Sequence, residues 1–209
     1  MQKWYDTKLV KSGSVYELYK YEKSVKLGEA KNPLGRRKTA TEQDKKVNRK
    51  TTLSRAKKTV RRLINANVDA WGQKPKFVTL TFADNVQDIK QANYEFKKFR
   101  QRLEYMVQVK LKYLCVIEFQ KRGAIHYHVI FFNLPFIKND VIANLWGQGF
   151  IKINAIDDVD NVGAYVSKYM TKNDDDIEKT KGLEGQKSYF TSRGLYLSLI
   201  HISEPTRPY

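Results

Sequence analysis

The chain has 209 residues, with 39 lysines and arginines against 22 aspartates and glutamates, so its formal net charge is +17. A single cysteine, Cys115, excludes a disulfide framework and a cysteine-rich zinc site. There is no apolar run of 18 residues and no signal-peptide core near Met1, so we expect neither a membrane span nor secretion. With 41% hydrophobic residues the chain can build a packed core, and its positive excess points first to nucleic acid as a partner.

The positive charge is concentrated in residues 1–70, which carry a net charge of +12 and which we interpret as a basic N-terminal arm. Within this arm, residues 8–26 alternate in polarity around a Ser12-Gly13-Ser14 turn, a pattern typical of a hairpin. A helix is expected from Thr41 to about Asn65, because acidic residues follow Thr41 in the first turn. We expect its basic residues to bind duplex DNA, although a solvated basic face would look the same: Arg49, Lys50, Lys57, Lys58, Arg61 and Arg62.

Strands and helices are expected to alternate through the middle of the chain. The pattern of apolar residues predicts a strand at 77–82, a helix at 86–107, strands at 112–119 and 125–132, a helix at 138–145, a strand at 149–154 and a helix at 161–172. In the long helix Phe96, Phe99, Leu103 and Met106 would form a buried face.

Two histidines lie in the predicted strand 125–132. Alternate residues of a strand face the same side, so His126 and His128 project together while Tyr127 faces away. Two neutral imidazoles at this spacing can chelate a divalent cation. A turn at residues 120–123 would bring Glu118 of the preceding strand beside them as a third ligand, although a carboxylate at this place could also serve only an ordinary salt bridge.

Two tyrosines follow in the predicted helix 161–172, for which Asp157, Asp158 or Asp160 could provide the N-cap. Tyr165 and Tyr169 are four residues apart and share one face, and Lys168 and Lys172 form a neighbouring row. A tyrosine can act as a covalent nucleophile on phosphorus if a metal and a lysine neutralise the phosphate. By itself such a pair is also compatible with a core stripe.

The last 13 residues, 197–209, resemble a conceptual translation of a sequencing-library adapter. We therefore expect this segment to be non-native and the natural sequence to continue differently after Tyr196. Without it only His126 and His128 remain as histidines.

In this order, the motifs resemble those of the HUH endonuclease superfamily, in particular rolling-circle replication initiators of bacteriophage and plasmid type with two tyrosines. Residues 77–82 are similar to the first motif, residues 118–128 with their His-hydrophobic-His signature to the second, and residues 165–169 to the third. Tyr127 stands where the family usually has a bulky apolar residue. Residues 188–195 also look like sequence that follows the tyrosine motif in relatives.

The resemblance implies an HUH endonuclease domain at residues 71–196, with an α+β fold whose central antiparallel sheet is flanked by helices in a layout like that of RNA-recognition motifs. Glu118, His126 and His128 would hold Mg²⁺ or Mn²⁺. One tyrosine would nick single-stranded origin DNA, leaving a 5′-phosphotyrosine bond and a 3′-hydroxyl primer for rolling-circle replication. The other tyrosine would act at termination, and Lys168 would stabilise the phosphate or position the strand.

No phosphate-binding loop of an ATP-driven helicase is visible, so we expect unwinding to come from a host helicase or from sequence lost beyond Tyr196. A helicase and a polymerase of a bacterial host are expected to act in trans, in its cytoplasm. Other interpretations remain open. A relaxase or a single-strand transposase would use the same chemistry on another substrate. A non-catalytic module with an RNA-recognition-like sheet would bind nucleic acid without cutting it.

Overall fold

A computed structural model describes residues 4–27, 41–156, 161–170 and 187–203. Its elements in chain order are β1 (Trp4–Ser12), β2 (Val15–Lys26), α1 (Glu42–Asn67), β3 (Lys76–Thr81), α2 (Ile89–Val107), β4 (Tyr113–Phe119), β5 (Ile125–Phe131), α3 (Asn139–Trp146), β6 (Ile151–Ala155), α4 (Val162–Ser167), β7 (Tyr189–Thr191) and β8 (Leu199–Ser203). A single 3-10 turn, Lys168–Met170, continues α4. Within these residues no helix has both the length and the apolar character needed to cross a bilayer.

The central sheet has five strands in the order β6-β3-β5-β4-β7, and every neighbouring pair is antiparallel. The predicted α+β architecture, a central antiparallel sheet flanked by helices, is confirmed, and each predicted strand and helix lies within a few residues of its expected place. The turn at 120–123 is also confirmed: Gln120 N–H donates to the Ala124 carbonyl, and Gly123 takes a φ of +88°, which glycine tolerates without strain.

Each face of the central sheet is covered by its own helices. On one face, α2 and α3 bury Phe96, Phe99 and Trp146 against side chains such as Tyr127, whose hydroxyl donates to Asn93 Oδ1 at 2.8 Å. On the other face, α1 and α4 pack over Phe77 and its neighbours. The prediction that Met106 is buried was wrong. It is 39% exposed, and the buried face of α2 runs from Ile89 through Ala92 to Leu103, ending one turn before the C-terminus of the helix.

The arm folds as the predicted hairpin and helix, and Thr41 caps α1 in a reciprocal capping box with Asp44. Only the C-terminal half of α1 packs on the sheet. Val60 and Ile64 are fully buried there, whereas Val47 is 56% exposed. The last turns of α1 thus belong to the same core as the central sheet.

The segment that resembles adapter sequence lies partly within the described residues. Its strand β8 pairs with β1, making a second sheet in the order β2-β1-β8. Just before it, the backbone N–H and carbonyl of Tyr196 both bond the side chain of Asn67. The chain is therefore anchored to α1 at Tyr196, and the foreign origin of residues 197–209 stays a prediction.

Candidate active site

Three potential metal ligands meet on the face of the sheet that α1 and α4 cover. Glu118 of β4 and His126 of β5 are directly opposed in the antiparallel register, and His128 follows two residues along the same face. One ligand atom from each of the three lies within 4.8 Å of the other two. A carboxylate and two imidazoles at this separation fit one divalent cation.

The neighbouring strand orients one of these ligands. Thr79 of β3 is opposite His128, and its hydroxyl lies 3.2 Å from Nδ1, while Nε2 of the same ring contacts a carboxylate oxygen of Glu118. In the tautomer that carries the proton on Nδ1, this N–H donates a hydrogen bond to Thr79 Oγ1. Nε2 of His128 is then the nitrogen available to coordinate a metal. Partners of this kind commonly fix the tautomer and the ring orientation of metal-bound histidines.

The surroundings of His126 favour its neutral form. Burial, followed by the neighbouring His128, lowers the pKa of His126 to about 4, although the Glu118 charge acts in the opposite direction. The side-chain amide of Gln120 also lies against it, with Nε2 of the amide 2.6 Å from Nε2 of the ring. At neutral pH His126 therefore offers an uncharged imidazole, which is the form that binds metals.

The two tyrosines project from α4 and its 3-10 continuation toward these ligands. The ring of Tyr169 lies over His128, with 4.2 Å between ring centroids, and Phe77 supports both tyrosine rings from below. The two hydroxyl oxygens are 3.3 Å apart. Burial and the hydrogen bond with Tyr165 raise the pKa of Tyr169 to about 12, so its phenol is protonated at neutral pH.

The tyrosine helix is attached to α1 by contacts that the sequence analysis missed. Asn65, buried on α1, accepts from the Gly163 backbone N–H at 2.8 Å and donates to Asn161. Asn161 is the N-cap of α4, accepting from Ala164 N–H at 2.9 Å, so the expectation that Asp157, Asp158 or Asp160 caps this helix was wrong. An asparagine before an apolar run is an N-cap signal in its own right.

A shallow groove of about 660 Å³ runs over the site. Its lining includes all three potential ligands, Thr79, Gln120, Lys121, Arg122 and Tyr169. Lys168 is exposed on the 3-10 turn and does not line this groove, whose two cations among the described residues are Lys121 and Arg122. The groove therefore carries positive charge beside the tyrosine.

The residues expected to bind DNA differ in their surroundings. Lys50 and Lys58 are exposed, and Arg49 and Lys57 are half-buried. Arg61 and Arg62 both contact the carboxylate of Glu17 on β2, an arrangement that joins the hairpin to the helix. Lys172 lies outside the described residues.

Comparison with protein families gives a match over the middle of the chain. A family of replication-associated proteins, described by the name ORF2, matches residues 75–174, a little under half of the chain. The matched segment begins just before β3 and includes the three potential ligands and both tyrosines. Comparisons with curated proteins and with solved structures give no match. The family match supports a role for this chain in replication, with DNA as its expected partner.

Proposed function

We propose that this chain is a replication initiator of the HUH two-tyrosine type, which nicks single-stranded origin DNA through a tyrosine. One observation carries the proposal: the Tyr169 ring lies on His128, with the Tyr165 hydroxyl 3.3 Å from its own, beside a carboxylate and two imidazoles that fit a divalent cation. Mg²⁺ or Mn²⁺, held by Glu118, His126 and His128, would supply a Lewis acid for the scissile phosphate.

The chemistry of the chain's own residues follows from this arrangement. The phenol oxygen of Tyr169 attacks phosphorus, the bond from phosphorus to the 3′-oxygen breaks, and the phenol proton is released as the leaving oxygen gains one. The products are a 5′-phosphotyrosine bond and a free 3′-hydroxyl. Because Tyr169 lines the groove and Tyr165 does not, Tyr169 makes the first attack and Tyr165 acts in the reverse, strand-closing step. Lys121 and Arg122 of the groove neutralise the phosphate, and Lys168, outside the groove, positions the strand.

The first prediction concerns the nucleophile. The protein is incubated with Mn²⁺ and a pool of short single-stranded oligonucleotides, and covalent protein–DNA adducts are resolved on a denaturing gel. We expect Tyr169→Phe to lose the adduct, and Tyr165→Phe to retain its initial rate within about tenfold, which is about 1.4 kcal/mol of activation free energy. Tyr105→Phe, at a tyrosine that is 80% exposed on α2, is the matched control.

Two results would count against the proposal. An adduct that survives Tyr165→Phe together with Tyr169→Phe would place the nucleophile elsewhere. Tight binding with no adduct under any condition would favour a non-catalytic nucleic-acid-binding module. Under this proposal a helicase and a polymerase of a bacterial host act in trans, in its cytoplasm, to complete replication.

The second prediction concerns duplex origin DNA, which we propose binds the basic face of α1. Deleting residues 1–70 would also remove Val60 and Ile64 from the core, so charge substitutions give the sharper test. Lys50→Gln with Lys58→Gln is expected to reduce the slope of log affinity against log salt by about 2, since each phosphate contact contributes about 0.9. Affinity for a duplex is measured by fluorescence anisotropy over a salt series. A slope equal to that of Lys90→Gln with Lys138→Gln would exclude α1 as the duplex site.

A further inference from the structure

A second cleft lies on the face of the central sheet opposite the tyrosines. It has a volume of about 350 Å³, near the lower end of the range of small-molecule pockets, and lies between α2 and the edge strand β7. Three aromatic side chains that contact one another line it: Phe96 and Phe190 with ring centroids 5.1 Å apart, and Tyr113 with its centroid 5.6 Å from that of Phe96. The proposed nicking chemistry uses none of these residues.

Positive charge surrounds this aromatic lining. Lys97 and Arg100 lie on the face of α2 that meets the cleft, and Lys187 approaches from the chain that leads into β7. Lys97 and Lys187 are exposed, and in the described part of the chain neither contacts a carboxylate. Arg100 bonds Glu104 at 2.6 Å, but among the residues that the structure describes no carboxylate lines the cleft itself.

One polar group is suited to reading a ligand. Asn93, one turn before Lys97 on α2, also lines the cleft. The Tyr127 hydroxyl donates a hydrogen bond of 2.8 Å to its Oδ1, and this bond fixes the orientation of the amide. The two N–H donors of the amide therefore point away from Tyr127. Aromatic rings beside cations and an amide donor make a surface that binds a nucleobase and its phosphate.

We infer that this cleft binds one nucleotide of single-stranded DNA, with the base against the half-buried ring of Phe190, which the buried Tyr113 supports, and the phosphate between Lys97 and Lys187. A strand leaving the tyrosine face can reach it around β7, because β7 is the last strand of the sheet and its residues divide between the two faces. Tyr189 packs with the tyrosine-side cluster, and Phe190 packs with the α2-side cluster. The inference depends on the proposed function in one respect: it takes the bound DNA strand to be the strand that is nicked.

The third prediction tests binding without chemistry. Anisotropy of a short dye-labelled oligothymidylate is measured in EDTA with the full chain and with Lys97→Glu plus Lys187→Glu. We expect the dissociation constant to rise at least about tenfold, which corresponds to about 1.4 kcal/mol. Lys20→Glu plus Lys138→Glu makes the same change in net charge elsewhere and is expected to have a clearly smaller effect. Equal losses in the two double variants would overturn the inference.

A direct contact test accompanies the binding test. An oligonucleotide containing 5-iodouracil is photo-crosslinked, and the modified peptides are identified by mass spectrometry. Crosslinks to Phe190 that disappear in the Lys97→Glu, Lys187→Glu protein would support the cleft, and crosslinks confined to other segments would contradict it. In adduct assays with Mn²⁺ the same variant is expected to keep its maximal rate and to need more DNA for half-saturation. Failure of the wild type to form any adduct would refute the nicking proposal alone, because the EDTA measurements do not depend on it.

Discussion

Removing the two imidazoles is expected to abolish divalent-metal binding and adduct formation together. His126→Ala with His128→Ala leaves Glu118 as the only one of the three potential ligands. We expect Mn²⁺ affinity, measured by isothermal titration calorimetry, to fall by more than about 100-fold, beyond the usual loss from changing an outer partner of a ligand. Chelating the metal from the wild-type protein should remove the adduct in the same way.

The alanine variant has a second effect that must be separated from metal loss. His128 also supports the Tyr169 ring, so its removal could misplace the nucleophile. Thr79→Val avoids this problem, because it leaves every ligand in place and removes only the hydroxyl beside Nδ1. For Thr79→Val we expect about 10- to 100-fold weaker Mn²⁺ binding.

Thr191→Val, at an exposed threonine of β7, is the control for the loss of a strand hydroxyl. Unchanged Mn²⁺ affinity in the double histidine variant would show that the metal site is elsewhere. Unchanged affinity in Thr79→Val alone would show that the hydroxyl does not orient His128.

The strands carrying the histidines could be predicted because their signals are local. Alternation places His126 and His128 on one face whatever surrounds the strand, and a four-residue turn brings Glu118 opposite. Thr79 is different. Its contact with His128 depends on which strand lies beside β5, and residues 49 positions apart in sequence carry no local pattern for such a pairing.

The length of the packed part of α1 is likewise a tertiary property. Apolar residues recur from Val47 to Ile64, but the packed part begins at Ala56. Val60 and Ile64 are fully buried and Leu63 is partly buried in the core shared with the sheet and α4, whereas Val47 is 56% exposed. For the same reason the sequence could not show that Arg61 and Arg62 would pair with Glu17, which lies on a separate hairpin.

The contact between α1 and α4 leads to the last prediction, that Gly163→Ala will detach the tyrosines from an otherwise intact metal site. A Cβ at residue 163 would lie 2.2 Å from the Arg61 carbonyl oxygen and 2.6 Å from Asn65 Oδ1. The first of these atoms is helix backbone, so α4 itself must move. We expect the free energy of unfolding in urea to fall by about 1–3 kcal/mol, the usual cost of overpacking. Adduct formation should be lost while Mn²⁺ affinity stays unchanged, because the ligands lie on β4 and β5.

Two further variants separate the loss of positioning from general destabilisation. Gly72→Ala meets no atom within 4 Å and costs only the strain of its φ of +67°, about 1–2 kcal/mol, so it should keep adduct formation at a comparable loss of stability. Asn65→Ala removes the bonds to Gly163 and Asn161 without adding an atom, so it tests the same attachment if Gly163→Ala does not fold. Asn65→Ala protein that binds Mn²⁺ normally and still forms the adduct at the wild-type rate would show that α1 does not position the tyrosines.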